Sequence, residues 1–144
     1  MKKIDVDIEK EEIIEPLQGA IDYIDKVLLR KDLISQALEE ENYGVAFEKF
    51  NNLISGIESL NQLLYNVDSL LPVDYNELQY EGRVINDYIK QFNDFLAGEL
   101  IIAMKNEDYF LLSDLIHYEL EVHLKEYRKI FICLLEYISE IEFV

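Results

Sequence analysis

Cysteine, histidine, proline and positive charge are all scarce in this chain of 144 residues, and each scarcity removes a class of function. One cysteine, Cys133, cannot form a disulfide framework and excludes every cysteine-rich zinc module. Two histidines, His117 and His123, leave a carboxylate-bridged di-metal bundle without its second Glu-x-x-His half-site. No apolar run approaches the 18 or so residues of a membrane span, and no signal-peptide stretch opens the chain. Basic residues number 13 against 30 acidic ones, for a formal charge of −17. Such a balance argues against nucleic-acid and anionic-membrane partners, because both need cationic patches. The expectation is an acidic cytoplasmic protein of one domain.

What is present is a regular hydrophobic pattern. Half the residues are hydrophobic, enough for a core in spite of the charge. Pro72 divides the chain, and the breaks Glu41-Asn42-Tyr43-Gly44 and Asn106-Glu107-Asp108-Tyr109 divide it again. In the second block Ala46, Phe50, Leu53, Ile57, Leu60, Leu64, Val67 and Leu71 alternate spacings of four and three, an unbroken bundle seam. Ile13, Leu17, Ile21, Ile24, Leu28, Ile34 and Leu38 line one face of the first block, and the third and fourth behave alike. The pattern predicts an all-α, up-down-up-down antiparallel four-helix bundle, with helices over Glu15–Glu41, Tyr43–Leu70, Tyr75–Lys105 and Glu107–Glu142. Asp74 to Glu77 has the spacing of a capping box for the third helix, and Gly56, Gly82 and Gly98 fall inside helices. Residues 1–12 form an acidic arm, expected to be loosely attached or ordered by a neighbouring chain, and residues 13–144 form the bundle.

The two halves share short matches. Asp22-Tyr23-Ile24 returns as Asp87-Tyr88-Ile89, and Ala37-Leu38 with Asn42-Tyr43 returns as Ala103-Met104 with Asp108-Tyr109. The offsets differ by one residue, so a duplicated hairpin needs one insertion between the matches; chance similarity between heptads explains them equally well. Counted outward from the turns, Tyr23, Asn61, Tyr88 and Tyr127 share a level, and His123 precedes Tyr127 by one turn. These five residues are the candidate site. They form either a polar layer that fixes helix register, with Tyr88 as the partner of Tyr127, or the wall of a ligand pocket in which His123 titrates.

Other constellations are weak. Asp114-x-x-His117 and Glu119-x-x-x-His123 put carboxylate and imidazole on shared helix faces, with Glu99 as the one inward carboxylate outside the fourth helix. A hydrogen bond from a histidine to Glu99 accounts for that arrangement better than a metal, so no metal or cofactor is expected. Cys133 lies among apolar residues, where a thiol is inert. No phosphate-binding loop, dinucleotide fingerprint or nucleophile elbow occurs. The acids are dispersed in helix-spaced pairs such as Asp22–Lys26 and Glu121–Lys125, as on a solvated bundle surface. Lys125, Arg128 and Lys129 form a basic cluster suited to docking an acidic partner.

The run Ala103-Met104-Lys105-Asn106-Glu107-Asp108-Tyr109, followed by Asp114-Leu115-Ile116-His117-Tyr118-Glu119-Leu120, resembles uncharacterised helical-bundle proteins of Gram-positive bacteria. More loosely, both hairpins are similar to the small acidic flagellar export chaperones of the FliT and FlgN kinds. The chain departs from those in having no extra amphipathic helix before Val144. The resemblance implies a helical bundle that works by binding protein. With no catalytic chemistry in the sequence and a surplus of aromatic and aliphatic side chains on regular helices, a non-enzymatic interaction protein, engaging a protein partner or a second copy of itself, is the expected function. An export chaperone is the first alternative and a metal- or small-ligand-binding bundle the second.

Overall fold

The computed structural model describes residues 3, 4, 6 and 8–144, and four helical rods carry the chain. The first rod is α1, Glu11–Arg30, continued after a one-residue break at Lys31 by α2, Asp32–Glu39. It starts four residues before the expected position, so exposed Pro16 stands in its second turn, where the carbonyl it leaves without an amide donor is on the solvent side. The second rod, α3, runs Tyr43–Leu70 as expected, and every residue of its predicted seam is buried.

The third and fourth rods each contain a π-turn. α4, Ile85–Phe95, passes through a π-turn at Leu96–Leu100 into α5, Ile101–Lys105. α6, Tyr109–Asp114, passes through a second at Leu115–Glu119 into α7, Leu120–Ser139. A π-turn admits one extra residue without breaking the helix. The first lies between the two sequence matches, where a duplication requires its inserted residue. The two π-turns pack on each other across the bundle.

The turns that join the first rod to the second and the third to the fourth are built alike. Glu41 and Glu107 are left-handed, with φ of 58° and 55°. Asn42 N–H reaches Ala37 O at 2.8 Å and Glu41 N–H reaches Leu38 O; Asp108 N–H reaches Ala103 O at 3.0 Å and Glu107 N–H reaches Met104 O. Both are Schellman motifs, and the residue that closes each one stands at the N-cap position of the next helix. In the second turn the Asp108 carboxylate accepts from Leu111 N–H. Tyr43 and Tyr109, at matching places, meet with ring centroids 5.1 Å apart.

The third helix begins at Ile85, ten residues later than the sequence pattern suggested. Asp74 does not open it; its carboxylate accepts from Asn76 N–H in a tight turn. Tyr75 is pulled inward instead, with its hydroxyl donating to Leu64 O at 2.7 Å. A short hairpin follows, in which β2, Gln79–Tyr80, pairs antiparallel with β3, Arg83–Val84. Its two loop residues, Glu81 and Gly82, have φ of 50° and 80°, as a type I′ turn requires, so Gly82 is a turn residue and not a helical one.

The described residues of the N-terminal arm pack on this chain's own C-terminal residues, and not on a neighbouring chain. β1, Lys3–Ile4, runs parallel to β4, Glu142–Phe143, and half-buried Val6 and Ile8 pack on the core. Lys10 donates to the carbonyls of Ser139 and Ile141, which the end of α7 leaves open. Asp5 and Asp7, within the stretch of alternating apolar residues, lie outside the described residues.

Candidate functional site

Two of the five candidate residues bond to each other. Tyr127, 1% exposed, donates to Asn61 Oδ1 at 2.7 Å. Asn61 donates to Asn93 Oδ1 at 2.8 Å, and Asn93 Nδ2 bonds both Ile89 O and, at 3.3 Å, the Tyr127 hydroxyl. The three side chains close a ring between α3, α4 and α7. Burial holds the Tyr127 phenol far above its ordinary range, so it is a fixed neutral donor.

The sequence named Tyr88 as Tyr127's partner and missed Asn93. Side chains lean toward the N-terminus of their own helix. α7 and α4 are antiparallel, so Tyr127 leans toward the 106–109 turn and Tyr88 leans away from it. Tyr88 therefore donates to Tyr80 O in the hairpin, at 2.9 Å, and Asn93 stands at the level of the Tyr127 hydroxyl.

His123 and Tyr23 lie apart from this ring. The His123 imidazole is half-buried, stacked on Phe95 at 4.7 Å and Phe92 at 5.3 Å, and nothing in the described protein bonds its buried Nδ1. Burial lowers its pKa, against the opposing pull of Glu126, Glu119 and Glu99. Glu99 is exposed and makes no hydrogen bond to either histidine among the described residues. Tyr23 lies across α3 at Gly56, where a Cβ would fall 1.6 Å from its hydroxyl, so the glycine makes the space for the ring.

A polar tie forms at the Lys31 break. Lys31 is 2% exposed; its Nζ donates to His117 O at 3.0 Å and Asp32 Oδ1 at 3.1 Å, and lies 3.7 Å from Glu121. The accepting carbonyl belongs to the second π-turn, where the helical ladder is displaced and its oxygens are open to outside donors. The imidazole Nδ1 of His117 also meets Asp32, at 3.0 Å. Burial raises the Asp32 pKa, but the bonds from His117 and Lys31 outweigh it and hold the carboxyl below its ordinary value. The sequence signal for this break is the gap of six between Leu28 and Ile34, too long for a continuous seam. Among the described residues no group of three His, Cys, Asp or Glu side chains is placed to share a metal ion. Burial, aided by Glu136, pushes the Cys133 thiol up.

The expected basic cluster is neutralised. Arg128 forms a two-point pair with Asp25, at 2.7 and 3.3 Å, Lys125 meets Glu121 at 3.5 Å, and Lys129 meets Glu81 at 3.9 Å. The Asp22–Lys26 pair is not formed. Lys26 instead borders a groove between α1 and α3. α1 packs chiefly on α7 and only lightly on α3. Two depressions of about 320 and 310 Å³ open along that seam, with Tyr23 between them. One has Lys26, Arg30 and Lys49 above a floor that includes Val27, Ile34 and Leu53; the other is lined by apolar Pro16, Ala20, Leu60 and Leu63 with Gly56 and Ser59.

These features define an all-α bundle with a half-buried polar ring between three helices and an open groove along two of them. The chain belongs to the family described as a domain of unknown function (DUF8042), which matches residues 15–130. No curated protein and no solved structure matched it.

Proposed function

We propose that the chain is a non-enzymatic interaction protein and that the α1–α3 groove receives a segment of its partner. The observation that carries this is apolar surface left open where two helices part. Leu33, 43% exposed, lines the depression that holds Val27, Ile34 and Leu53. Covering such side chains yields roughly 1.5–3 kcal/mol for each one fully buried. A helical bundle offers this most directly as a groove for a partner helix. A flagellar or secretion export chaperone is the narrower form that the sequence resemblance suggests, and a cytoplasmic setting suits the lone free thiol.

A photocrosslinking residue at Leu33 tests the reading in the native host. A discrete protein adduct is the expected result. Irradiation that yields no protein adduct, with the chain folded and expressed, would refute it.

The orphan Nδ1 of His123 favours a second reading, a small ligand held beside Asp94, Glu99 and Glu126. Replacing His123 with leucine separates the two. Retained partner binding supports a structural histidine, whereas lost binding in a chain that stays folded supports the pocket.

A further inference from the structure

We infer that the segment received by the α1–α3 groove is an acidic amphipathic helix of the partner protein, an inference that rests on the interaction reading above. Charge is the first ground. The chain carries 30 acidic residues, yet no carboxylate lines the depression that holds Lys26, Arg30 and Lys49. None of these three makes an ion pair within the described protein, whereas Lys125, Arg128 and Lys129 are all paired. Lys26 and Arg30 stand four residues apart on α1, a spacing at which like charges repel. An anion between them and Lys49 relieves that repulsion.

The floor excludes a simple inorganic anion as the whole ligand. Val27, Ile34 and Leu53 lie under the cations, and the apolar depression beyond Tyr23 continues the same seam toward Pro16. The occupant is therefore acidic at one end and apolar along one face. From Pro16 to Arg30 the helix rises about 21 Å, the length of roughly four turns of a partner helix. Both walls are helices, whose backbone groups are already bonded, so no free strand edge is offered to an extended peptide. Small-ligand sites enclose most of their ligand; here the three cations are exposed. The charge of −17 repels an acidic partner at long range, but at physiological salt that field is screened beyond about 8 Å. Within the groove the local sign decides.

The test uses the full chain and a model peptide of about 18 residues, five helical turns, with leucine along one face and glutamate on its flanks. A version with glutamine for glutamate is the neutral control. In 0.15 M salt the acidic peptide should shift amide resonances on α1, α2 and α3, Tyr23, Val27, Leu53 and Gly56 among them. Both the glutamine peptide and the K26E/R30E/K49E variant should weaken binding by about tenfold or more. The three side chains are exposed, so the variant should stay folded in 0.15 M salt, where the added charge is largely screened; if it does not, K49E alone serves. Shifts that map elsewhere, no binding at millimolar peptide, or a variant that binds within roughly twofold of the native chain would overturn the inference. So would a native dimer that charge reversal dissociates, because a second copy would then hold the groove. A Leu33 protein adduct that survives charge reversal would sink this inference and leave the interaction reading standing. Absence of any adduct would sink the interaction reading itself.

Discussion

His123 and Tyr127 lie one turn apart on α7 and meet opposite fates. Tyr127 finds Asn61 and Asn93, so its burial leaves no polar atom without a partner. His123 is held between two phenylalanine rings with its Nδ1 unbonded, and an unbonded buried polar atom costs about 1–3 kcal/mol. Its folded pKa is lowered, chiefly by burial, so the cation is the form the fold disfavours. The unfolded chain binds a proton near pH 6.5 while the folded chain resists it. The stability His123 contributes is therefore full above about pH 6.5 and is lost as pH falls through the lower folded value. Replacing it with leucine should flatten the dependence of unfolding free energy on pH below about 6.5 and leave stability at pH 7.5 equal or higher. Urea melts at several pH values measure this, and a variant with the native slope would contradict it.

At the scale of elements, the helix breaks were legible and the helix starts less so. The turns within each hairpin, at 40–42 and 106–108, fall within a residue or two of the polar runs that interrupt the seam. Their geometry was not legible, since left-handed turns favour glycine and this chain puts Glu41 and Glu107 there. A side chain in that conformation costs about 1–2 kcal/mol, partly offset by the larger entropy loss of glycine. Glu107→Gly and Glu41→Gly should each stabilise the protein by about 0.5–1 kcal/mol, read as a rise in urea midpoint. A fall in both would mean that those carboxylates make compensating interactions. The hairpin before α4 was missed for a related reason. Residues 75–84 carry helix-compatible spacing, but Tyr75 gains a buried hydrogen bond to Leu64 O only if the chain turns back there.

For the molecule as a whole, charge is the dominant long-range term. At −17 the folded chain repels itself more than the expanded one does, and salt screens that repulsion. Raising sodium chloride from low millimolar to about 0.3 M should raise the melting temperature by roughly 4 °C, followed by circular dichroism. A fall would show that pairs such as Arg128–Asp25 and Lys31–Asp32 outweigh the net repulsion. The ends of the chain matter at this scale as well. The β1–β4 pairing and the Lys10 bonds tie the first described residues to the last.

By itself the sequence determined the all-α class, the number of rods and most of the core, because burial on a helix follows a period that a linear reading can count. The α3 seam from Ala46 to Leu71 is the clearest case. It also determined that Asn61 and Tyr127 stand at one level. Tertiary structure decided their third partner, since the opposite lean of antiparallel side chains brings in Asn93 and sends Tyr88 to the hairpin. It decided the pairing of charges in the same way. Arg128 reaches Asp25 and Lys31 reaches His117 O across 103 and 86 residues of chain, distances at which helical spacing carries no information. What those pairings leave over, three unpaired cations above an apolar floor, exists only once α1 and α3 stand side by side.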